Sequence, residues 1–500
     1  MKEKKEKGSL SIFSALILLL VASLLFTFLE SARMYGLRAK SHRNTMLCAE
    51  SALAEYQIEL LENYDVFYLD LGYGERSINL ARLKERIMNL SQDNINPKKD
   101  RMFFNGANLY RMNVTQCMIE DYELATDDGG AAFMRQAVAS MKDNIPYDVA
   151  ESLFTSAEEV KKTENMAENP EQMMADAKAK IAEERARKTE ENRQKQENGE
   201  EIQPLEDVEN PVEFADSLKT SGVLTKVVEN PGDLSVKGID LSDSIETRDK
   251  QCGTKQNVSE STLSQKAVYQ MYLQQHFGCY TESIENRVLD YEMEYLIAGK
   301  ATDQENLESV VKRLLALREA SNLISLVMDP AKTADAKTVA LLLVGFTGNE
   351  GVIEAAKYGV MAAWAYVESI LDVRTLLSGG KIAIMKKSNE WTTDIFHISE
   401  SFQNAAKAKE SDNGLSYVGY LQTFLSLKNQ SELNYRVLDL IEKNIRMLSG
   451  NHNLCMDSMT QQMTVSLAYE AYPLFFRMVT IGNIKNEAYQ FVQKQDVSYF

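Results

Sequence analysis

The sequence predicts a mainly α-helical protein with a small β element. It is an α+β chain whose N-terminal transmembrane helix runs on as a long rod into a helical head. Three observations predict it. A charge-free apolar run opens the chain, apolar residues recur at helical spacing through most of the remaining sequence, and one stretch near residue 112 alternates with period two.

Composition sets the bounds. With 500 residues, 44% hydrophobic and 26% charged, the chain is globular in composition and long enough for two or three structural units. Its net charge of −18 argues against nucleic acid as a partner, because phosphate binding needs clustered Lys and Arg. Four His and five Cys leave little material for a His/Cys metal centre. No HExxH, GxGxxG, P-loop, GxSxG or CxxC motif is present. Neither a catalytic residue nor a cofactor or metal ligand stands out, so the chain is not expected to be an enzyme.

From Ser9 to Leu29 there is no charge and no proline, and these 21 residues span about 30 Å as a helix, the thickness of the hydrocarbon layer. Ser9, Leu16, Leu20, Leu24 and Leu29 mark this anchor. A signal peptide has a shorter apolar region and a small-x-small cleavage site, and Leu29-Glu30-Ser31-Ala32-Arg33 is a poor cleavage context. The expectation is therefore an uncleaved single span behind a basic tail, residues 1–8. Lys2, Lys4, Lys5 and Lys7 on one side tie with Arg33, Arg38, Lys40 and Arg43 on the other, and leave a lean towards a cytoplasmic N-terminus. Beyond the span, Met46, Ala49, Leu53, Tyr56 and Leu60 continue an apolar stripe. One rod from Ser9 to Leu61, about 80 Å long, is expected, its inner part the span 9–29 and its outer part within a stalk of residues 30–72.

Gly8-Ser9 ahead of the apolar run, Glu30-x-x-Arg33 just past it and the Ala-containing helix beyond resemble the N-termini of TadE/TadG-like proteins of Tad (Flp) pilus loci. The blocks Tyr64–Asp70, Glu294–Lys300, Ala363–Ser369 and Val497–Phe500 resemble an uncharacterised family of anchored Firmicutes proteins found with Tad-type pilus genes. That resemblance implies a pilin-like anchor, a cytoplasmic N-terminus with an extracytoplasmic head, and no established activity. It departs from prepilin peptidase substrates in one respect: the position five residues after Gly8 is Phe13 and not Glu. A retained anchor therefore fits better than a shaft subunit. The expected role is a structural or assembly component of a Tad-type pilus or cell-envelope apparatus, with the membrane and other pilus or envelope proteins as partners. Homo-oligomerisation stays open, with Glu30 and Arg33 as a possible contact between subunits. An extracytoplasmic sensor or adhesin, or an unrecognised envelope enzyme, is the alternative.

Residues 73–150 read as an α+β segment. Tyr110, Met112 and Val114 alternate with Arg111, Asn113 and Thr115, a half-buried strand within 105–126. Asp127-Asp128-Gly129-Gly130 reads as a turn, since a calcium loop needs oxygen donors at several fixed positions, and a helix continues over 131–142. Residues 151–210 are expected as a charged linker, because only Met173, Met174, Ala177 and Ile181 interrupt its polar run. Residues 211–500 read as a mainly helical domain with a C-terminal strand. Gly299 is a helix C-cap, and Thr302-Asp303-Gln304-Glu305 opens the next helix as a capping box. Residues 336–346 and 352–377 form a core hairpin, 415–427 and 433–448 a second helix pair, and His276 is expected to be packed among aromatics. The tail 489–500 is expected to pair with the strand in 105–126. Cys252 and Cys279 are the candidate disulfide, against free thiols as the simpler expectation for so large a chain.

Overall fold

The computed structural model describes residues 2–96, 109–141, 147–166, 169–255, 262–475 and 487–499. Contacts divide the chain into two units, unit 1 from residues 1–139, 249–259 and 445–500, and unit 2 from 140–248 and 260–444. The sequential boundaries expected at 151 and 211 are thus replaced by a discontinuous partition, in which unit 1 is assembled from chain segments far apart in sequence.

Unit 1 contains α1 (Lys2–Leu53), α2 (Ile58–Tyr64), β1 (Leu69–Asp70), α3 (Leu80–Ile95), β2 (Met112–Leu124) and α4 (Asp127–Met141), with β3 (Met459–Ala471) and β4 (Tyr489–Ser498) returning from the far end of the chain. The central strand is β3. It pairs antiparallel with β2 from Met112↔Ala471 to Leu124↔Thr460, with β4 from Ala471↔Tyr489 to Gln462↔Ser498, and with β1 at Leu69↔Thr460. The expected direct pairing of the tail with β2 is therefore wrong: both flank β3. Period two explains how β3 serves both. Met463, Val465, Leu467 and Tyr469 point into the core, where they meet Leu37, Cys48, Ala49 and Leu53 of α1 and Leu83 and Ile87 of α3. Residues 105–108 of the expected strand, residue 142 of the expected helix and Phe500 lie outside the described residues.

α1 runs unbroken out of the apolar segment into this core. Asn44 donates to the Tyr469 hydroxyl at 3.0 Å, and the Thr45 and Tyr469 hydroxyls lie 2.8 Å apart. The helix stops at Leu53 instead of Leu61, and tertiary contacts account for the difference. The Tyr499 hydroxyl donates to the Leu53 carbonyl at 2.6 Å, the Tyr56 ring meets Phe67 edge-on at 5.1 Å, and the Gln57 N–H donates to the Tyr68 carbonyl at 2.8 Å. These partners replace the next turn of helical hydrogen bonds. The Asp127–Gly130 turn forms as expected, with Asp128, Gly129 and Gly130 at φ of 54°, 68° and 76°. The Asp127 carboxylate accepts from the Leu124 and Gly253 N–H groups, at 2.7 and 3.0 Å.

Unit 2 holds α5 (Tyr147–Met166), α6 (Pro170–Glu197), α7 (Pro211–Lys219), α8 (Val223–Val227), α9 (Leu263–His276), α10 (Glu292–Ala298), α11 (Asp303–Met328), α12 (Pro330–Val344), α13 (Glu350–Leu377), α14 (Ile398–Asn404), α15 (Tyr417–Ser426) and most of α16 (Gln430–Arg446). α13 is its axis, buried almost throughout and packed by α6, α7, α11 and α12. The expected charged linker is instead largely helical. Asn169 caps α6 by accepting from Gln172 N–H, Pro170 occupies its first turn, and Met174, Ala177 and Ile181 are buried. Its wet face is held by pairs such as Arg187–Glu184 and Arg193–Glu190, each an i,i+3 contact. A narrow apolar stripe suffices because α13 presents Gly359 to it: a Cβ there would sit 2.0 Å from the Ala177 Cβ.

The local cap signals are realised. Gly299 ends α10 at φ 66°, and Thr302 accepts from the Glu305 N–H at 3.3 Å. Gly348 at φ 60° and the Asn349 cap turn α12 into α13, making the expected core hairpin. Among the described residues only the N-terminal helix is long and apolar enough to cross a membrane.

Substituting Gly359→Ala should overpack the α6–α13 contact and cost about 1–3 kcal/mol. Thermal melting checks this, with Gly232→Ala, where a Cβ meets open space, expected to melt as the wild type does.

Candidate functional site

The most constructed feature of unit 1 lies on the turn where the apolar part of α1 ends. Leu16, Leu20 and Leu24 are exposed, and no residue in the apolar window of the helix is buried by protein. The side chain of Ser9 lies outside the described residues. One turn beyond Leu29 the situation reverses, with Glu30 and Arg33 both buried by protein. Arg33 Nη1 donates to Glu30 Oε1 at 2.7 Å. Its Nε donates to the Leu109 carbonyl at 2.6 Å and its Nη2 to the Tyr110 carbonyl at 2.5 Å. The other Glu30 oxygen accepts from the backbone N–H groups of Leu474 and Phe475, at 3.2 and 2.8 Å.

Glu30 and Arg33, a possible contact between subunits on the sequence, meet here as an i,i+3 pair within α1, and both side chains are buried by their own chain. Helical spacing brings the two charges together, and two remote backbone segments and the Tyr489 side chain complete their hydrogen bonding. Leu109–Tyr110 and Leu474–Phe475 act through backbone atoms, so no side-chain motif marks them in the sequence. The one local signal is Gly36, a lone glycine in the part of α1 past the apolar run. The Tyr110 ring lies over it, so that a Cβ would come within 2.7 Å of the ring, and Lys40 Nζ sits 5.4 Å from the ring centroid.

Unit 2 carries a different polar cluster, deep in its core. Arg318 on α11 donates to Asp372 of α13 through Nε and Nη2 at 3.1 and 3.0 Å, and through Nη1 to the carbonyls of Ala383 and Ile384. Lys386 Nζ donates to Asp372 Oδ1 at 2.8 Å and also to Glu368. Glu368 accepts further from the Thr392 and Thr393 N–H groups and the Thr393 hydroxyl, which in turn accepts from Trp364 Nε1. Two cations and two anions cancel. Burial pushes the Asp372 carboxyl up, but Lys386 and Arg318 overrule it and hold it below the ordinary carboxylate range. A neutral cluster engaged in this way holds α11, α13 and the 383–393 segment together.

Other buried acids behave oppositely. Burial pushes Glu294 up to about 7, against hydrogen bonds from the Tyr280 N–H and the Tyr417 hydroxyl, and its Oε2 has no hydrogen-bond partner. Glu292, Glu319 and Asp439 are likewise raised to about 7, in each case chiefly by burial. His276 is buried with its ring 4.4 Å from that of Tyr272, as a packed residue. All five cysteines are free. The candidate Cys252–Cys279 disulfide is thus corrected: Cys252 is exposed, whereas Cys279 is buried with its Sγ against the Thr281 hydroxyl at 3.3 Å. An apolar groove of about 480 Å³ lies between α6, α11 and α13, lined by Met173, Leu323, Val327, Met328 and Tyr358 among others.

The fold and its anchor turn define a mainly helical protein with a small antiparallel sheet and one long apolar N-terminal helix, of the kind that forms a single-pass anchor or a signal sequence. The chain belongs to a family of unknown function, DUF5702, whose model matches residues 201–471. No curated protein and no solved structure matches it.

Replacing Arg33→Met should leave the Glu30 carboxylate buried and unpaired and should cost about 3–5 kcal/mol. Faster limited proteolysis of unit 1 in the full chain is the readout. In unit 2, Glu294 has a folded value near 7 against about 4.5 for the unfolded chain. Its contribution is therefore fully present below pH 4.5 and is lost as pH rises through 7. Glu294→Gln should flatten urea stability between pH 5 and 8 and raise it relative to wild type at the alkaline end.

Proposed function

We propose that the protein is a membrane-anchored structural component of a Tad-type pilus or related cell-envelope assembly, acting through protein–protein contacts. Its N-terminal tail is cytoplasmic and the remainder extracytoplasmic. The observation that carries this reading is the continuity of α1. The apolar stretch before Glu30 and the core-packed stretch from Leu37 to Leu53 are one helix without a break. Cleavage after a signal sequence would cut this helix beside the Glu30–Arg33 pair that ties three segments of unit 1 together. Retention of the anchor keeps that pair intact. The Glu30-x-x-Arg33 spacing and the recurring aromatic blocks support the link to pilus loci, and the neutral, internally bonded ionic cluster of unit 2 favours a scaffold over an active centre.

In membranes from the native host, the intact mass should include residues 1–29 and the protein should resist alkaline extraction. Cross-linking in cells should recover pilus or envelope proteins. A mature chain beginning beyond residue 29 would refute the anchor, and unaltered piliation after deletion of the gene would refute the assembly role.

A further inference from the structure

We propose that unit 1 touches the bilayer a second time, through a rim formed by Leu109, Tyr110 and Phe475 around the point where α1 leaves the membrane. The inference rests on the proposed anchor and specifies what surrounds it: the lipid of the outer leaflet. The depth of each residue comes from α1 used as a ruler. Glu30 ends the charge-free run and so marks the edge of the hydrocarbon. The Phe475 ring stacks on Phe26, with centroids 6.3 Å apart and planes within 18°. Phe26 lies four residues before Glu30, about 6 Å further into the membrane at 1.5 Å per residue. If α1 is embedded to Glu30, Phe475 lies below the hydrocarbon surface.

The other two residues sit progressively higher. Leu109 is held by Arg33, one turn beyond the boundary, and its side chain is 54% exposed. The Tyr110 ring covers Gly36, six residues past Glu30 and about 9 Å up, a height that falls among the headgroups. An apolar residue at the deeper level, with a tyrosine beside a lysine at the outer one, is the order in which side chains settle across a membrane interface. Lys40 supplies the cation over the Tyr110 ring. The Glu30–Arg33 pair explains how these chain segments can be brought so low. It satisfies the Leu109 and Tyr110 carbonyls and the Leu474 and Phe475 N–H groups, which would otherwise enter lipid without partners. Lipid is preferred to a second protein as the occupant because, among the described residues, this rim adjoins the exposed apolar surface of α1.

The test uses the full chain reconstituted in phosphatidylcholine brominated near the glycerol end of its acyl chains. Both native tryptophans, Trp364 and Trp391, are buried in unit 2 and supply a constant background. Single variants Leu16→Trp, Leu109→Trp, Phe475→Trp and Ile58→Trp add one reporter each, the last at an exposed position on α2. Most of the added emission should be lost to bromine for Leu16→Trp and Phe475→Trp, part of it for Leu109→Trp, and none for Ile58→Trp. Quenching of Leu16→Trp alone, with both rim variants behaving as Ile58→Trp does, overturns the second contact and leaves the anchor standing. An unquenched Leu16→Trp overturns the anchor and the rim together. Because Leu109→Trp alters an exposed side chain, it keeps the test valid should Phe475→Trp disturb packing.

Discussion

A carboxylate and a guanidinium at the end of an apolar helix cannot be left half-satisfied, and the rest of unit 1 is arranged around that constraint. Glu30 and Arg33 neutralise each other across one helical turn, yet a lone i,i+3 pair on an exposed helix contributes only a few tenths of a kcal/mol. Here the pair is buried and its remaining capacity is taken up by four backbone groups from two distant segments. The interaction therefore specifies position more than it stabilises. It fixes which turn of α1 meets the ends of β2 and β3, and with it the register of the helix on the sheet.

Unit 2 solves a related problem with a larger cluster. Arg318, Asp372, Lys386 and Glu368 are taken out of water together, at a desolvation cost that a tightly packed apolar core would avoid. What the cluster gives is direction. Each guanidinium and carboxylate atom has a particular partner, so α11, α13 and the segment after Gly380 dock in one arrangement. The close approach of α6 at Gly359 adds a steric rule to this electrostatic one.

How much of this was legible in the sequence depended on the range of the interaction. Gly299, Thr302 and Asn349 act within a few residues, and their caps stand where local chemistry places them. The apolar length of α1 is equally local. The end of α1 is not, because Tyr499 caps Leu53 from the other end of the chain. In α6 the stripe of Met174, Ala177 and Ile181 is legible, but its sufficiency depends on a glycine some 180 residues away. For β3 the alternation Met463, Val465, Leu467, Tyr469 is present in the sequence, and only its central place between β2 and β4 required the structure. At the anchor turn the charges were legible as candidates. Most of their partners are peptide groups, which every residue carries and no motif marks.

The position of β3 has a consequence for how the chain comes to be folded. Ile119 pairs with Val465, and all of unit 2 is synthesised between them. Some helical contacts within unit 2, such as those of α11 and α12 with α13, are short in sequence and can form early, whereas strands so far apart must close a long loop before they gain anything. During synthesis α1 is made first, while β2 waits with both edges unpaired, a template for wrong partners. Only the last stretch of chain supplies β3 and β4, and with them the backbone groups that close on Glu30. The sheet thus works as a late latch. The N-terminal helix is made well before the segments that pack against its turn at Glu30 are complete, and this interval is the one in which the chain most needs protection from aggregation.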